Sequence, residues 1–133
     1  MAGLFTSVWM QAYMAEWNKE PDLSDALAKI NFSSTIAYGF PEQEKPIGVI
    51  VVKEGKVVSA DVYKDESLNW DLRATEESWQ KWMDKGIGMT GLSMAYLGGK
   101  LKFKIGDYTA MIKDPRMAGP FIKSFSVMGR VKI

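Results

Sequence analysis

The chain has 133 residues, 47% of them hydrophobic and 25% charged, with 17 Lys+Arg against 16 Asp+Glu and neither Cys nor His. Those two absences exclude a disulfide, a thiolate nucleophile, an imidazole base and a Ser–His–Asp relay, so an enzyme is disfavoured. The length suits one core, and a single domain over residues 1–133 is expected.

The first segment predicts a helix over about 4–18. Phe5, Val8, Trp9, Ala12 and Tyr13 form one apolar stripe and Met10, Met14 and Trp17 a second. A helix that is apolar on more than one side is covered on more than one side, and the extra partner is the core, a second subunit or a lipid. The uncharged run over residues 1–15 is shorter than the roughly 18–20 apolar residues that cross a bilayer. No basic region precedes it and Val131-Lys132-Ile133 is no peroxisomal address, so a cytoplasmic protein is expected. Pro21-Asp22 starts a short helix, with Asp22 as N-cap and Leu23, Ala26, Leu27 and Ile30 at core spacing.

The pattern then turns to strands. Phe32, Ser34, Ile36 and Tyr38 alternate with their neighbours, Pro41 and Pro46 bracket a loop, and residues 48–52 form a β-branched run suited to a central strand. Glu54-Gly55 turns the chain into a hairpin partner over 56–63. Residues 68–74 predict a strand with Leu68, Trp70, Leu72 and Ala74 inward and Asn69, Asp71 and Arg73 toward solvent. Thr75 caps a helix whose stripe is Trp79, Trp82 and Met83. A shorter segment over 90–97 carries Leu92, Met94, Ala95 and Leu97. Residues 100–105 alternate lysine with Leu101, Phe103 and Ile105, the pattern of a protected edge strand. Tyr108, Met111 and Ile112 follow, and Pro120 opens a last helix holding Phe121, Ile122, Phe125 and Met128, in a helical tail over about 115–129. The class is α+β: a five-stranded, mostly antiparallel sheet with helices on one face. The first four strands are expected as a meander, the fifth by a crossover.

No catalytic set, metal-ligand cluster or cofactor motif is read. Asp61 with Tyr63, or Asp71, would offer an acid–base pair for an isomerase or lyase, but both aspartates fall on solvent-facing positions. Gly86-x-Gly88-x-x-Gly91 has dinucleotide-loop spacing yet follows a helix instead of a strand. Residues 1–99 are net −5 and residues 100–133 net +6, which makes the last quarter a surface for anionic groups or a set balanced by the acidic remainder. Its aromatics lie on apolar faces, so a nucleic-acid interface is not expected. Nine Met and sixteen aromatic residues (5 Trp, 5 Tyr, 6 Phe) concentrate on short, glycine- and proline-interrupted pieces, read as ordinary core or as walls that part for a ligand.

From Gly98-Gly99-Lys100-Leu101-Lys102-Phe103-Lys104-Ile105-Gly106-Asp107 into Tyr108-Thr109-Ala110-Met111, the sequence resembles the sterol-carrier-protein lipid-transfer domain. The upstream order agrees: a hairpin with Gly55, a strand over 68–74, then a capped helix with Trp79 and Trp82. The resemblance implies an apolar tunnel for fatty acid, fatty acyl-CoA or sterol. By position, its wall would hold Trp79, Trp82, Met83, Leu92, Met94, Ala95, Leu101, Phe103, Met111 and Ile112, with Phe121, Ile122 and Phe125 as a lid. Lys113, Arg116 and Lys123 flank that lid and would meet an anionic headgroup or transiently contact an anionic membrane. The expected function is therefore carriage of an apolar small molecule. The alternative is a non-catalytic accessory subunit that dimerises or docks on a partner enzyme through Trp9, Met10, Tyr13, Met14 and Trp17.

Overall fold

The computed structural model describes residues 3–131, so Lys132 and Ile133, at the end of the basic quarter, lie outside the described residues. Helix α1 spans Ser7–Lys19, opened by Thr6, whose hydroxyl accepts from the Trp9 amide at 3.3 Å. It starts three residues later than the expected helix. Phe5 takes φ +66°, and its buried ring stacks on Tyr38 and meets Trp9 and Trp79 edge-on. Helix α2 (Ser24–Ala28) follows, with Leu23 and not Asp22 at the N-cap position.

The strands are β1 (Ser34–Gly39), β2 (Gly48–Lys53), β3 (Lys56–Val62), β4 (Trp70–Arg73) and β5 (Lys102–Ile105), in spatial order β3-β2-β1-β4-β5. The hairpins β1–β2 and β2–β3 are antiparallel, with Ile36 opposite Ile50 and Ile50 opposite Ala60. The four-strand meander is corrected here. After β3 the chain crosses to the far side of β1, and β4 pairs parallel to it, Ile36 beside Trp70 and Tyr38 beside Leu72. The crossover thus precedes β4, and β5 joins β4 as an antiparallel edge, as its lysines suggested.

Helices α3 (Glu76–Lys85), α4 (Met89–Leu97), α5 (Tyr108–Lys113) and α6 (Pro115–Met128) complete the chain. Each of α3, α5 and α6 starts on a side-chain cap, from Thr75, Asp107 and Asp114. The last helix begins at Pro115, so Pro120 lies inside it and does not open it. No helix among the described residues is long and apolar enough to cross a membrane.

Helix α1 finds its second partner within its own chain. It packs on β3, β2 and α6 and buries Trp9, Met10, Tyr13 and Trp17. It also satisfies the outer edge of β3: the Asn18 amide donates to the Val57 carbonyl at 2.9 Å, its oxygen accepts from the Val57 amide at 2.9 Å, and Gln11 donates to the Ala60 carbonyl. A polar arc of the helix thus does what a sixth strand would do. The turn into β3 must be glycine, because a Cβ at Gly55 would strike the backbone of Ser24 and Ala28.

Candidate functional site

Between the sheet and the helices lies an apolar cavity of about 50 Å³. Ile36 and Tyr38 of β1 and Trp70 and Leu72 of β4 form its floor. Trp17, Leu23, Leu27, Met111, Met117, Pro120, Phe121 and Ser124 cover it from the helices, and Phe32 closes one end. The floor residues follow from period-2 alternation on adjacent parallel strands, which puts all four side chains on one face.

Three of the polar groups in the wall are used elsewhere, which leaves mainly hydrocarbon toward the cavity. The Trp17 indole donates to the Gly55 carbonyl at 2.9 Å, the Tyr38 hydroxyl lies 3.3 Å from that of Tyr13, and the Ser124 hydroxyl donates to the Phe121 carbonyl. Burial pushes both phenols well above the ordinary tyrosine range, foremost by removing water from any phenolate. An engineered apolar cavity that admits benzene measures roughly 150 Å³. At a third of that, this one is too small for a long chain as it stands. Phe32, Trp70, Met117 and Phe121 are only half-buried and mark where it comes nearest the surface.

The cover over it is built from short pieces. Helix α5 has six residues, Asp114 is extended between it and α6, and Pro120 withholds one backbone hydrogen bond from α6. At the opposite edge, Trp70 lies flat on Gly106 at φ +112°, where a Cβ would enter its ring.

No family model matches the sequence, and no curated protein matches it. Among solved structures, the crystal structure of sterol carrier protein 2 is similar with a TM-score of 0.77 at 21% identity, covering 98% of this chain and 100% of that one. This chain has the sterol-carrier fold. A solution structure from Thermus thermophilus, of a conserved hypothetical protein described as possibly a sterol carrier protein, is similar with a TM-score of 0.67 at 21% identity. It covers 97% of this chain and 90% of the other. A ubiquinone synthesis protein, UbiJ-SCP2, is similar with a TM-score of 0.59 at 12% identity, covering 90% and 86%.

Within this sterol-carrier fold, two of the thirteen residues expected in the wall and lid, Met111 and Phe121, line the cavity. Phe103 stands behind them, 6.0 Å from the rings of both Trp70 and Phe121. Trp79, Trp82 and Phe125 form an aromatic cluster beyond Tyr38, and the Trp79 indole donates to the Gly39 carbonyl at 3.0 Å. Leu92, Ala95 and Leu101 are buried elsewhere in the core, Met83 and Ile112 are half-buried, and Met94 faces outward at 69% exposure. Arg116 is paired to Asp114 at 3.0 Å, while Glu20 takes Arg130 at 2.8 Å and Lys123 at 3.9 Å. The Arg130 hydrogen bond, first, holds the Glu20 carboxyl below its usual range. Lys113 is exposed and makes no ion pair among the described residues.

The acid–base pair is not assembled. Asp61 accepts from the Val62 amide at 2.7 Å and pairs with Lys64 at 3.2 Å, away from the cavity. Asp71 does face away from the helices, but it is buried and not in solvent. Arg73 grips it through two hydrogen bonds of 2.6 and 2.9 Å and donates to the Phe40 and Gln43 carbonyls. The residues that sequence reasoning missed, Trp17, Leu23, Leu27, Phe32, Ile36, Tyr38, Trp70, Leu72, Met117, Pro120 and Ser124, mostly read as inward positions. Nothing in their spacing says that they leave a gap.

Proposed function

We propose that this chain binds and carries an apolar small molecule in the space between β1, β4 and helices α2, α5 and α6, which widens when α5 and α6 move outward. The observation that carries the reading is the wall itself, whose Trp17 indole, Tyr38 phenol and Ser124 hydroxyl are turned into protein hydrogen bonds. Such a wall favours a hydrocarbon chain or a sterol-like body over a polar solute. Each CH₂ of a fatty acid or acyl-CoA that leaves water contributes about 0.8 kcal/mol. Lys113, two residues from Met111, is the cation best placed for a carboxylate or phosphate headgroup, because Arg116 and Lys123 already face acids.

Similarity to solved sterol carrier proteins supports carriage. Similarity to UbiJ-SCP2, a ubiquinone synthesis protein, favours a second reading in which the chain holds an apolar molecule for an enzyme. The helix first expected as the interface is a poor one, since Trp9, Met10, Tyr13 and Trp17 are buried within the chain.

The test is organic extraction of the purified protein with mass spectrometry of the extract, then titration with a fluorescent fatty acid. A stoichiometric lipid, or uptake that Met117→Trp blocks, is expected. An empty extract and no uptake would overturn the reading.

A further inference from the structure

Residues 86–99 carry no charged side chain, and they contain the whole of α4. The helix turns Leu92 and Ala95 inward, yet its outer side is apolar as well: Met89 is 48% exposed, Met94 69% and Leu97 83%. A surface helix ordinarily carries its charges there. The charges stand instead at the margins. Lys85 precedes the stretch, Lys100 follows it, and Lys102 and Lys104 continue along the edge strand β5. All four are exposed, and none is ion-paired among the described residues. Between Lys81 and Ile105 the sequence has five lysines and one acid, Asp84.

We infer that the outer side of α4 docks this chain on an anionic lipid bilayer, with Met94 and Leu97 entering the acyl boundary and the flanking lysines meeting the headgroups. Charge selects this occupant. A second copy would bring two sets of unpaired lysines together, whereas an anionic leaflet attracts them. The exposure agrees, because Met94 and Leu97 stand out from the helix with most of their side-chain surface free. On its inner side α4 is tied toward the cavity cover: Tyr96 stacks on Tyr108 with centroids 3.9 Å apart, and Phe103 touches both Tyr108 and Phe121. Docking does not require a bound lipid, so its test is independent of the ligand reading.

Flotation of the purified protein with vesicles of phosphatidylcholine, alone or mixed with phosphatidylserine, tests it. Flotation is expected with the mixed vesicles and should weaken as salt shortens the Debye length. Each of Lys85→Gln, Lys100→Gln and Lys102→Gln should lower partitioning about fivefold. Met94→Ser with Leu97→Ser should remove it while the circular dichroism spectrum and melting temperature hold. Equal flotation of that double variant and the parent would overturn the assignment to α4. So would absence of flotation at low salt, whether or not sedimentation then shows a dimer that the double variant dissolves.

Discussion

Asp71 and Arg73 show how a surface position becomes an interior one. Alternation along β4 puts them on the side away from the helices, and the loop joining β1 to β2 then closes over them, its Phe40 and Gln43 carbonyls taking up the rest of the guanidinium. Asp71→Asn leaves a buried cation without its counter-charge, so a loss of about 3–5 kcal/mol in urea unfolding is expected. The strand's alternation was legible in the sequence. The loop's path over it was not, because burial of these two residues depends on a segment some thirty residues upstream. The paired phenols of Tyr13 and Tyr38 give a second test. Their pKa values are raised in the folded state, so the unfolded chain loses these protons first. Stability is whole below the unfolded value of about 10 and declines as pH rises past it. A denaturation series from neutral to strongly alkaline pH should show this decline. Tyr13→Phe with Tyr38→Phe should flatten it, at some cost in stability at neutral pH.

Elements were easier to find than to connect. The helix over Trp79, Trp82 and Met83 and the lysine-guarded β5 follow from local periodicity and capping, which neighbouring residues decide. The pairing of β4 with β1 is a tertiary choice between two chain paths that look alike in sequence. So is the union of α1 with the edge of β3, where Asn18 supplies both a donor and an acceptor. Asn18→Ala strips the Val57 amide and carbonyl of these partners. The expected cost is about 1–3 kcal/mol, with faster hydrogen exchange at the Val57 amide than at its neighbours in β2. On the cavity cover, Met111→Ala deletes a buried side chain from α5, and the expected cost is about 2–5 kcal/mol. If the cavity is the binding space, the same change should raise its capacity for a bulky apolar probe. A chain that loses stability without gaining uptake would place the ligand elsewhere.

For the whole molecule, occupancy and stability should move together. A lipid that binds the folded chain alone, at a hundredfold excess over its dissociation constant, stabilises it by about 2.7 kcal/mol, which calorimetry with and without fatty acid will register. If α5 and α6 must part for loading, uptake should be slow relative to diffusion and should quicken in Ala118→Gly, which lowers the helix propensity of α6 by about 1 kcal/mol without touching the floor of β1 and β4. The fold was legible because the order of strands and helices, together with the segment from Gly98 to Met111, matches one architecture. The site was less so, since a cavity is a property of imperfect fit among side chains that each read as core.

The position of the cavity between early strands and late helices also bears on how the protein is made. Synthesis delivers α1, α2 and all five strands before α5 and α6 exist, so the faces of Ile36, Tyr38, Trp70 and Leu72 leave the ribosome with only the part of their cover that Trp17, Leu23 and Leu27 supply. Until the final turns of α6 arrive, the rest of that apolar floor is open to whatever greasy molecule or chaperone is near. A cargo met at that stage would be enclosed during folding and would not have to force its way into the finished chain.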